Sequence, residues 1–211
     1  MRMRRKKHAV ERIQACADYT RWNDMFDIEN SKPVHIEIGC GKGDFICGMA
    51  LKEPDINFIA VEKSINVIVI ALEKAKNLNL PNLKFIISDA EKLSDYFEPD
   101  KISRIYLNFP DPWHKRYQYN NRLTHQSFLY VYKKFLKRGS KIILKTDNKD
   151  LFDFSIKTLP PNGFEIVNKT YDLYNSEFFA FNENVQTEYE KKFVEQNIPI
   201  CYLEAIFASI L

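Results

Sequence analysis

The side chains best suited to chemistry stand in one short stretch, residues 107–115, with the sequence LNFPDPWHK. Residues 102–107 predict a buried strand, which the two prolines then end abruptly. A residue before a proline is held away from helical angles, so we expect Phe109 and Asp111 to be extended. A stiff backbone would hold a carboxylate, the carboxamide of Asn108 and an indole at the rim of a sheet, as a site with tight geometry needs. An ordinary proline-rich loop with a capping Asp is the alternative interpretation.

A glycine-rich turn is the second candidate. It occupies residues 39–43, GCGKG, between a predicted strand at residues 34–38 and a predicted helix from about residue 44 to 52. A dinucleotide site favours the spacing G-x-G-x-x-G with a pyrophosphate at the helix N-terminus. Here Glu37 precedes Gly39, and its carboxylate would repel a pyrophosphate and suit a cation. S-adenosylmethionine (SAM) carries an α-ammonium and a sulfonium and no phosphate, so the sequence favours SAM over NAD.

Acidic residues also follow the next two predicted strands. Residues 56–61 form a nearly continuous apolar run, as a buried parallel strand does. Glu62 follows it, about twenty residues beyond the glycines, where an acid can bind both ribose hydroxyls of an adenosine. Residues 83–87 predict a third strand, after which Asp89 could accept from an adenine amino group while the Ala90 amide donates to the ring. A surface Glu and a helix-capping Asp are the alternatives.

Two segments suggest contacts with RNA. Residues 115–122 interleave cations with two tyrosines, which fits phosphate contacts and base stacking. Residues 2–12 are rich in Lys and Arg and contain a single acid, Glu11. This segment is either a solvated terminus or an arm that neutralises phosphates. We favour the arm, because residues 9–19 predict a helix that would anchor it.

The second half of the chain alternates predicted helices and strands. Residues 124–136 repeat apolar side chains at helical spacing, and Gly139 is expected to end that helix. Residues 141–145 predict a fifth strand. Asp147 follows it, at the edge where ligands bind in open α/β sheets. Residues 200–206 alternate loosely enough to form an antiparallel strand at or near a sheet edge.

Thr187 and Glu190 have the spacing of a capping box at the start of a helix. Structural capping is the default explanation of this pair. A Thr and two acids could also bind a base edge.

Composition limits the possible classes. A chain of 211 residues with 45% hydrophobic and 28% charged residues suits one α/β domain, residues 31–211, after a basic arm and helix in residues 1–30. No apolar run approaches the roughly 18 residues of a membrane span, and no signal peptide follows the basic start. The four cysteines show no CxxC pairing and no His at metal spacing. We therefore expect free thiols in a reducing cytoplasm, and neither a disulfide framework nor a zinc site.

Five strands alternating with helices predict a doubly wound sheet. Five sequence motifs then carry a resemblance: IEIGCGKG at 36–43, AVEK at 60–63, NFPDPW at 108–113, KTDN at 145–148 and TEYE at 187–190. On these motifs the chain resembles the bacterial tRNA (guanine-N7)-methyltransferase family over nearly its whole length, and NFPDPW is the most specific of them. The resemblance implies a SAM-dependent class I methyltransferase: an α/β, Rossmann-like, mostly parallel seven-stranded sheet with helices on both faces and an antiparallel last strand. It implies 7-methylguanosine in the variable loop of tRNA as the product, made by a cytoplasmic monomer or homodimer.

The resemblance also implies roles for single residues. Asp111 would be the catalytic acid residue and would contact SAM as well. The other contacts to SAM, combined with the strand-end analysis, would come from Glu37, Gly39, Glu62, Asp89, Ala90 and Asn108. The contacts to the substrate would come from Lys115, Asp147, Thr187, Glu188, Tyr189 and Glu190. The contacts to RNA would come from Tyr117, Gln118, Tyr119, Asn120, Asn121 and Arg122.

The chain departs from the family pattern at two places. His114 stands where the family usually has proline, and residues 117–121 replace a run normally richer in Lys, Arg and His. Both changes weaken the expected contacts of that loop with phosphates.

Two other functions are open. The order Asn108, Phe109, Pro110 is similar to the Asn-Pro-Pro-aromatic motif of nucleic-acid exocyclic-amine methyltransferases, although Phe109 intervenes. The other is a non-catalytic RNA-binding subunit on a methyltransferase fold, against which the intact Glu37, Glu62 and Asp111 argue.

Overall fold

A computed structural model of the chain describes residues 7–20, 32–176 and 185–208. The chain divides into two compact units, residues 1–89 and residues 90–211. Most of the predicted basic arm lies outside the described residues, as does the predicted domain boundary near residue 30, so both stay predictions. None of the helices in the described ranges is long and apolar enough to cross a membrane.

The first unit contains a parallel three-stranded arrangement in the order β3-β2-β1. Its strands are β1 (Val34–Ile38), β2 (Asn57–Val61) and β3 (Leu83–Ile86), and its longer helices are α2 (Asp44–Lys52) and α3 (Ile65–Asn77). Every residue of β1 is buried. This matches a parallel strand covered on both faces, although two of the buried residues, His35 and Glu37, are polar.

The short helix α1 (Ala9–Gln14) lies against α3. The helix predicted for residues 9–19 ends early and is followed by a 3₁₀ turn, Ala17–Tyr19. The Arg12 guanidinium donates from Nε and Nη2 to the two carboxylate oxygens of Glu73, each at 2.6 Å. Arg12, one of the cations assigned to the phosphate-binding arm, thus forms a bidentate ion pair with Glu73 of the same chain.

The second unit places its strands in the order β4-β5-β7-β6. They are β4 (Ile102–Asn108), β5 (Leu136–Thr146), β6 (Phe164–Thr170) and β7 (Cys201–Phe207), and the helices are α4 (Gln126–Lys133), α5 (Lys149–Thr158) and α6 (Glu188–Glu195). β4 and β5 are parallel, whereas β7 is antiparallel to both β5 and β6. The predicted class, a mostly parallel seven-stranded sheet with an antiparallel last strand, is confirmed.

Two predicted boundaries in this unit were wrong. The helix predicted for residues 124–136 ends at Lys133, and β5 begins at Leu136, so Gly139 lies inside a strand and caps no helix. The register between β4 and β5 shifts across Gly139, whose φ of 84° marks the irregularity. The prediction also omitted α5, although Asn148 is a good capping residue and its side chain accepts from the Leu151 N–H at 2.8 Å.

Candidate functional site

The glycine-rich turn of the first unit leaves open space beside its backbone. Gly39 and Gly41 have φ angles of 81° and 57°, and a Cβ added at either would meet nothing within 4 Å. At Gly43 an added Cβ would lie 2.7 Å from the Cβ of Ala71. Gly43 therefore permits close packing of α2 on α3, while Gly39 and Gly41 leave a place where a ligand can approach the main chain.

Glu62 is held against this turn by backbone amides. One carboxylate oxygen accepts from the Gly41 N–H at 3.3 Å, and the other accepts from the Ser64 N–H at 2.9 Å. Ser64 begins α3, but its hydroxyl makes no capping bond. Each Glu62 oxygen can accept a further hydrogen bond, so the carboxylate is fixed in direction and still able to bind hydroxyl groups.

Other acids of the first unit also stand at the ends of its strands. Glu37 is buried in β1. Asp89 follows β3 with its side chain half exposed, 3.9 Å from the Lys63 ammonium. Burial, and then the carboxylates of Glu37 and Glu62, raise the pKa of the Cys40 thiol well above its usual range. The end of β1 is therefore a region of negative potential, which suits a cationic ligand.

The cysteines have no chemical role that the structure supports. All four are buried and unpaired, and burial raises the pKa of Cys47 to about 12 and that of Cys201 to about 11. Thiols with such pKa values are protonated near neutral pH and are poor nucleophiles and ligands. Among the residues that the structure describes, no group of His, Cys, Asp or Glu could hold a metal ion.

The proline-rich loop after β4 is strained. Phe109, predicted to be extended, has a φ of 50°, and Trp113 has a φ of 46°. The prediction was wrong for Phe109 because pre-proline geometry disfavours the right-handed helical region and does not dictate an extended backbone. A bulky side chain in the left-handed region costs about 1–2 kcal/mol. Such strain persists only where the surroundings enforce it, and it clusters at functional sites.

Contacts with neighbouring elements hold the start of the loop. The Phe109 N–H donates to the Lys145 carbonyl oxygen at 2.8 Å, and its ring lies 5.6 Å from that of Phe193 in α6. Asn108 is buried at the end of β4. Asp111 is exposed. The loop thus presents a carboxylate to its surroundings from a backbone that its flanking residues fix.

Arg122, predicted to contact RNA, is fully buried. Its Nε donates to the Pro112 carbonyl oxygen at 2.8 Å, its Nη2 donates to the Trp113 carbonyl oxygen at 3.4 Å, and Nη2 also pairs with the Asp150 carboxylate. The guanidinium lies 3.6 Å from the centre of the Tyr119 ring. Arg122 has no exposed surface with which to contact RNA in this conformation. We therefore no longer assign it to RNA binding.

The rest of the predicted RNA segment forms a 3₁₀ helix, Arg116–Asn121. Tyr117 is 74% exposed, and the Lys115 ammonium lies 5.8 Å from the centre of its ring. The exposed positions of this helix include Asn120 and Asn121, while Gln118 and Tyr119 are half-buried. This surface offers the exposed ring of Tyr117 and the cations of Lys115 and Arg116.

Glu190, predicted to contact substrate, is also fully buried. It accepts from the Lys145 ammonium at 2.6 Å and from the Tyr174 hydroxyl at 2.9 Å. The capping box with Thr187 is present: the Glu190 N–H donates to the Thr187 hydroxyl oxygen at 2.9 Å, and the Thr187 N–H donates to the Glu190 carboxylate at 3.3 Å. Structural capping, the default explanation, is confirmed. Oε2 of Glu190 accepts from Thr187 and Lys145, and Oε1 accepts from Tyr174.

The remaining predicted substrate residues differ in exposure, and Thr187 is buried. Tyr189 and Asp147 are exposed, and Glu188 pairs with Lys192 at 3.3 Å. Asp150 and Tyr174, which were not among the predicted site residues, hold buried charged groups of this unit. Asn148 is a good capping residue, so an acid in the first turn of the helix that follows could have indicated Asp150. No pattern of neighbouring residues indicates Tyr174.

Comparison with known proteins gives a consistent result. A family model described as "Putative methyltransferase" matches residues 31–203. A tRNA (guanine-N(7)-)-methyltransferase from Lactococcus lactis subsp. cremoris (strain MG1363) is 42% identical over 216 residues, with 98% of each chain covered. The protein of the same name from Clostridioides difficile (strain 630) is 42% identical over 215 residues, covering 97% of this chain and 98% of the relative.

Solved structures show the same fold at low sequence identity. The 16S rRNA methyltransferase KamB aligns with a TM-score of 0.66 at 12% identity, covering 86% of this chain and 90% of that one. An antibiotic-related methyltransferase aligns with a TM-score of 0.60 at 16% identity, covering 96% and 95%.

Proposed function

The chain belongs to the bacterial tRNA (guanine-N7)-methyltransferase family, and from that premise we propose what its residues do. It is a SAM-dependent enzyme that forms 7-methylguanosine in tRNA. The observation that carries this conclusion is the 42% identity to a tRNA (guanine-N(7)-)-methyltransferase that covers 98% of the chain. We propose further that the guanosine lies in the variable loop and that the enzyme acts in the cytoplasm as a monomer or homodimer.

The acids of the first unit fit the recognition of SAM, which supplies a methyl group on a sulfonium. Glu62, fixed by two backbone amides, binds the ribose hydroxyls. Asp89 accepts from the adenine amino group, and the Ala90 amide donates to the ring. Glu37 contributes negative potential for the cationic methionine portion, beside the open backbone at Gly39. Asn108 contributes a further contact from the end of β4.

The reaction needs alignment more than proton transfer. Guanine N7 has a lone pair in the ring plane and no proton to lose, so no general base is required. Positive charge moves to the purine as the new bond forms, and a fixed carboxylate stabilises it. Asp111, exposed on a strained loop, is the catalytic residue: it accepts from guanine N–H groups or holds the methionine ammonium.

Residues of the second unit bind the substrate. Lys115 binds phosphate, and Asp147 with residues 187–189 contacts the nucleoside. Residues 117–121 contact RNA, with exposed Tyr117 offering a surface for base stacking. Burial and internal hydrogen bonds assign Glu190 to structural support.

A methyl-transfer assay tests the function. Labelled methyl from SAM should enter a tRNA that has a guanosine in its variable loop, and replacement of that guanosine should abolish incorporation. Borohydride and aniline should cleave the methylated tRNA at that position, because this treatment cuts the RNA chain at 7-methylguanosine and not at a base methylated on an exocyclic amine. Incorporation without cleavage would support the exocyclic-amine methyltransferase, and failure to bind SAM in a titration would support the non-catalytic subunit.

A further inference from the structure

The buried guanidinium of Arg122 contacts the backbone of the loop that carries Asp111. Its Nε–H reaches the Pro112 carbonyl oxygen at 2.8 Å, one residue beyond Asp111, and its Nη2 reaches the next carbonyl, that of Trp113, at 3.4 Å. We propose that Arg122 and Asp150 are positioning residues that fix the catalytic loop for methyl transfer. This inference rests on the proposed role of Asp111.

The loop needs external support because it cannot stabilise itself. Pro110 and Pro112 have no N–H groups, so neither can donate a backbone hydrogen bond. Trp113 is held at a φ of 46°, in a region that a bulky residue avoids. A donor from another segment must therefore compensate, and Arg122 presents its planar fork to the two consecutive carbonyls of Pro112 and Trp113.

The surroundings of Arg122 explain why an arginine is suited to this place. Its guanidinium lies 3.6 Å from the centre of the Tyr119 ring and 4.8 Å from that of Phe154. Aromatic faces accept a planar, weakly hydrated guanidinium better than an ammonium. The Asp150 carboxylate pairs with Nη2 and so compensates a charge that is otherwise costly to bury.

Asp150 is the accessible end of this arrangement. It lies in the first turn of α5, where Asn148 caps the helix, and its side chain is 56% exposed. The Tyr119 hydroxyl also donates to it at 3.4 Å. Asp150→Asn removes the charge that pairs with Arg122 at a side chain that is partly in water, and it opens no cavity in the core. The loop should therefore shift at a modest cost in stability.

The decisive experiment compares Asp150→Asn with Asp153→Asn, a matched substitution one turn along the same helix. Asp153 pairs with Lys149 and accepts from Tyr171 instead. Asp150→Asn should lower kcat about ten- to a hundredfold, because a displacement near 1 Å at a reacting group has that effect. The dissociation constant for tRNA should stay within about twofold, that for SAM should change by a smaller factor than kcat, and Asp153→Asn should match the wild type.

Two further measurements address Arg122 itself. Arg122→Lys keeps the charge and loses the fork, so it should lower kcat at least as much as Asp150→Asn does. The chain has two tryptophans, so in a Trp22→Phe background the emission of Trp113 reports on the loop directly. Asp150→Asn should shift this emission and Asp153→Asn should not, even if Arg122→Lys fails to fold.

The outcomes distinguish a positioning role of Arg122 from a role in RNA binding and from a failure of the proposed function. If Asp150→Asn left both kcat and the Trp113 emission unchanged, the positioning role would be overturned. If Arg122→Lys weakened tRNA binding and left kcat unchanged, Arg122 would return to RNA binding, and the positioning role would also be overturned. If wild-type protein showed no methyl transfer to tRNA, the proposed function would fail, and with it the positioning of a catalytic group.

Discussion

The charged side chains of the two units are used in different ways. In the first unit, Glu62 is fixed by backbone amides and Asp89 stays half exposed, so both retain hydrogen-bonding capacity. In the second unit, Arg122 and Glu190 are fully buried, and each has an oppositely charged partner in its own unit. The first arrangement leaves acceptor oxygens available to a ligand, whereas the second supports a backbone.

The difference follows from the cost of removing charge from water. A half-exposed carboxylate keeps part of its hydration and can exchange the rest for ligand contacts. A buried ion must be paired and hydrogen-bonded, or it destabilises the fold by several kcal/mol. The family motif TEYE therefore contains two kinds of residue: accessible Tyr189, and Glu190, whose carboxylate is fully used within the protein.

The largest expected effect is at Asp111, an exposed acid of the second unit. Asp111→Ala should lower kcat about a thousandfold or more, because preorganised charge near the developing purinium is lost. SAM affinity should fall by a smaller factor. Single-turnover assays with a SAM titration measure both, and Asp95→Ala, at another exposed position of this unit, is the control. An active Asp111→Ala enzyme would refute the catalytic role.

The buried pair of the second unit should give the next largest effect, on stability. Lys145→Met leaves the Glu190 carboxylate without its cation and should lower the free energy of unfolding by about 3–5 kcal/mol. Urea unfolding measures the loss. The double substitution Lys145→Met with Glu190→Met should recover much of it, because neither charge is then buried alone. If Glu190 bound substrate instead, Glu190→Met would weaken tRNA binding and leave the unfolding midpoint unchanged.

The contrast between the units also explains what the sequence could predict. Strand-end carboxylates and the capping box depend on neighbouring residues, so local patterns found Glu62, Asp89 and the Thr187 cap. The partner of Arg122 lies 28 residues along the chain and that of Glu190 lies 45 residues away. Pairing over such distances depends on the folded arrangement of strands and helices, so a charged residue in a motif looks accessible until its partner is known.

The backbone errors have a similar origin. Gly139 has the sequence context of a helix end, yet the register shift between β4 and β5 uses its positive φ inside a strand. Phe109 adopts a left-handed conformation that pairing with Lys145 and packing on Phe193 enforce. In both cases tertiary contacts override a correct local preference.

A smaller, more selective effect is expected at Glu62 in the first unit. Glu62→Gln removes a charged acceptor for the ribose hydroxyls and should weaken SAM binding about ten- to a hundredfold, as the loss of hydrogen bonds to a charged group does. Isothermal titration measures this, with Glu11→Gln as the control at an exposed position. Stability should fall slightly, since Gly41 and Ser64 donate to different oxygens of Glu62 and only one of the two amides keeps an oxygen acceptor in the Gln variant. An unchanged SAM affinity would remove Glu62 from the cofactor site.

The smallest effect should come from the ion pair of the first unit. Arg12→Met is the same kind of substitution as Lys145→Met, but Arg12 and Glu73 are 34% and 38% exposed, so Glu73 regains water when its partner is lost. The urea midpoint should shift far less than for Lys145→Met, and added salt should reduce the difference further. Because Glu73 already binds the guanidinium, Arg12→Met should also leave the salt slope of tRNA binding nearly unchanged. A slope reduced by about one would mean that RNA displaces Glu73, and Arg12 would then rejoin the phosphate-binding arm.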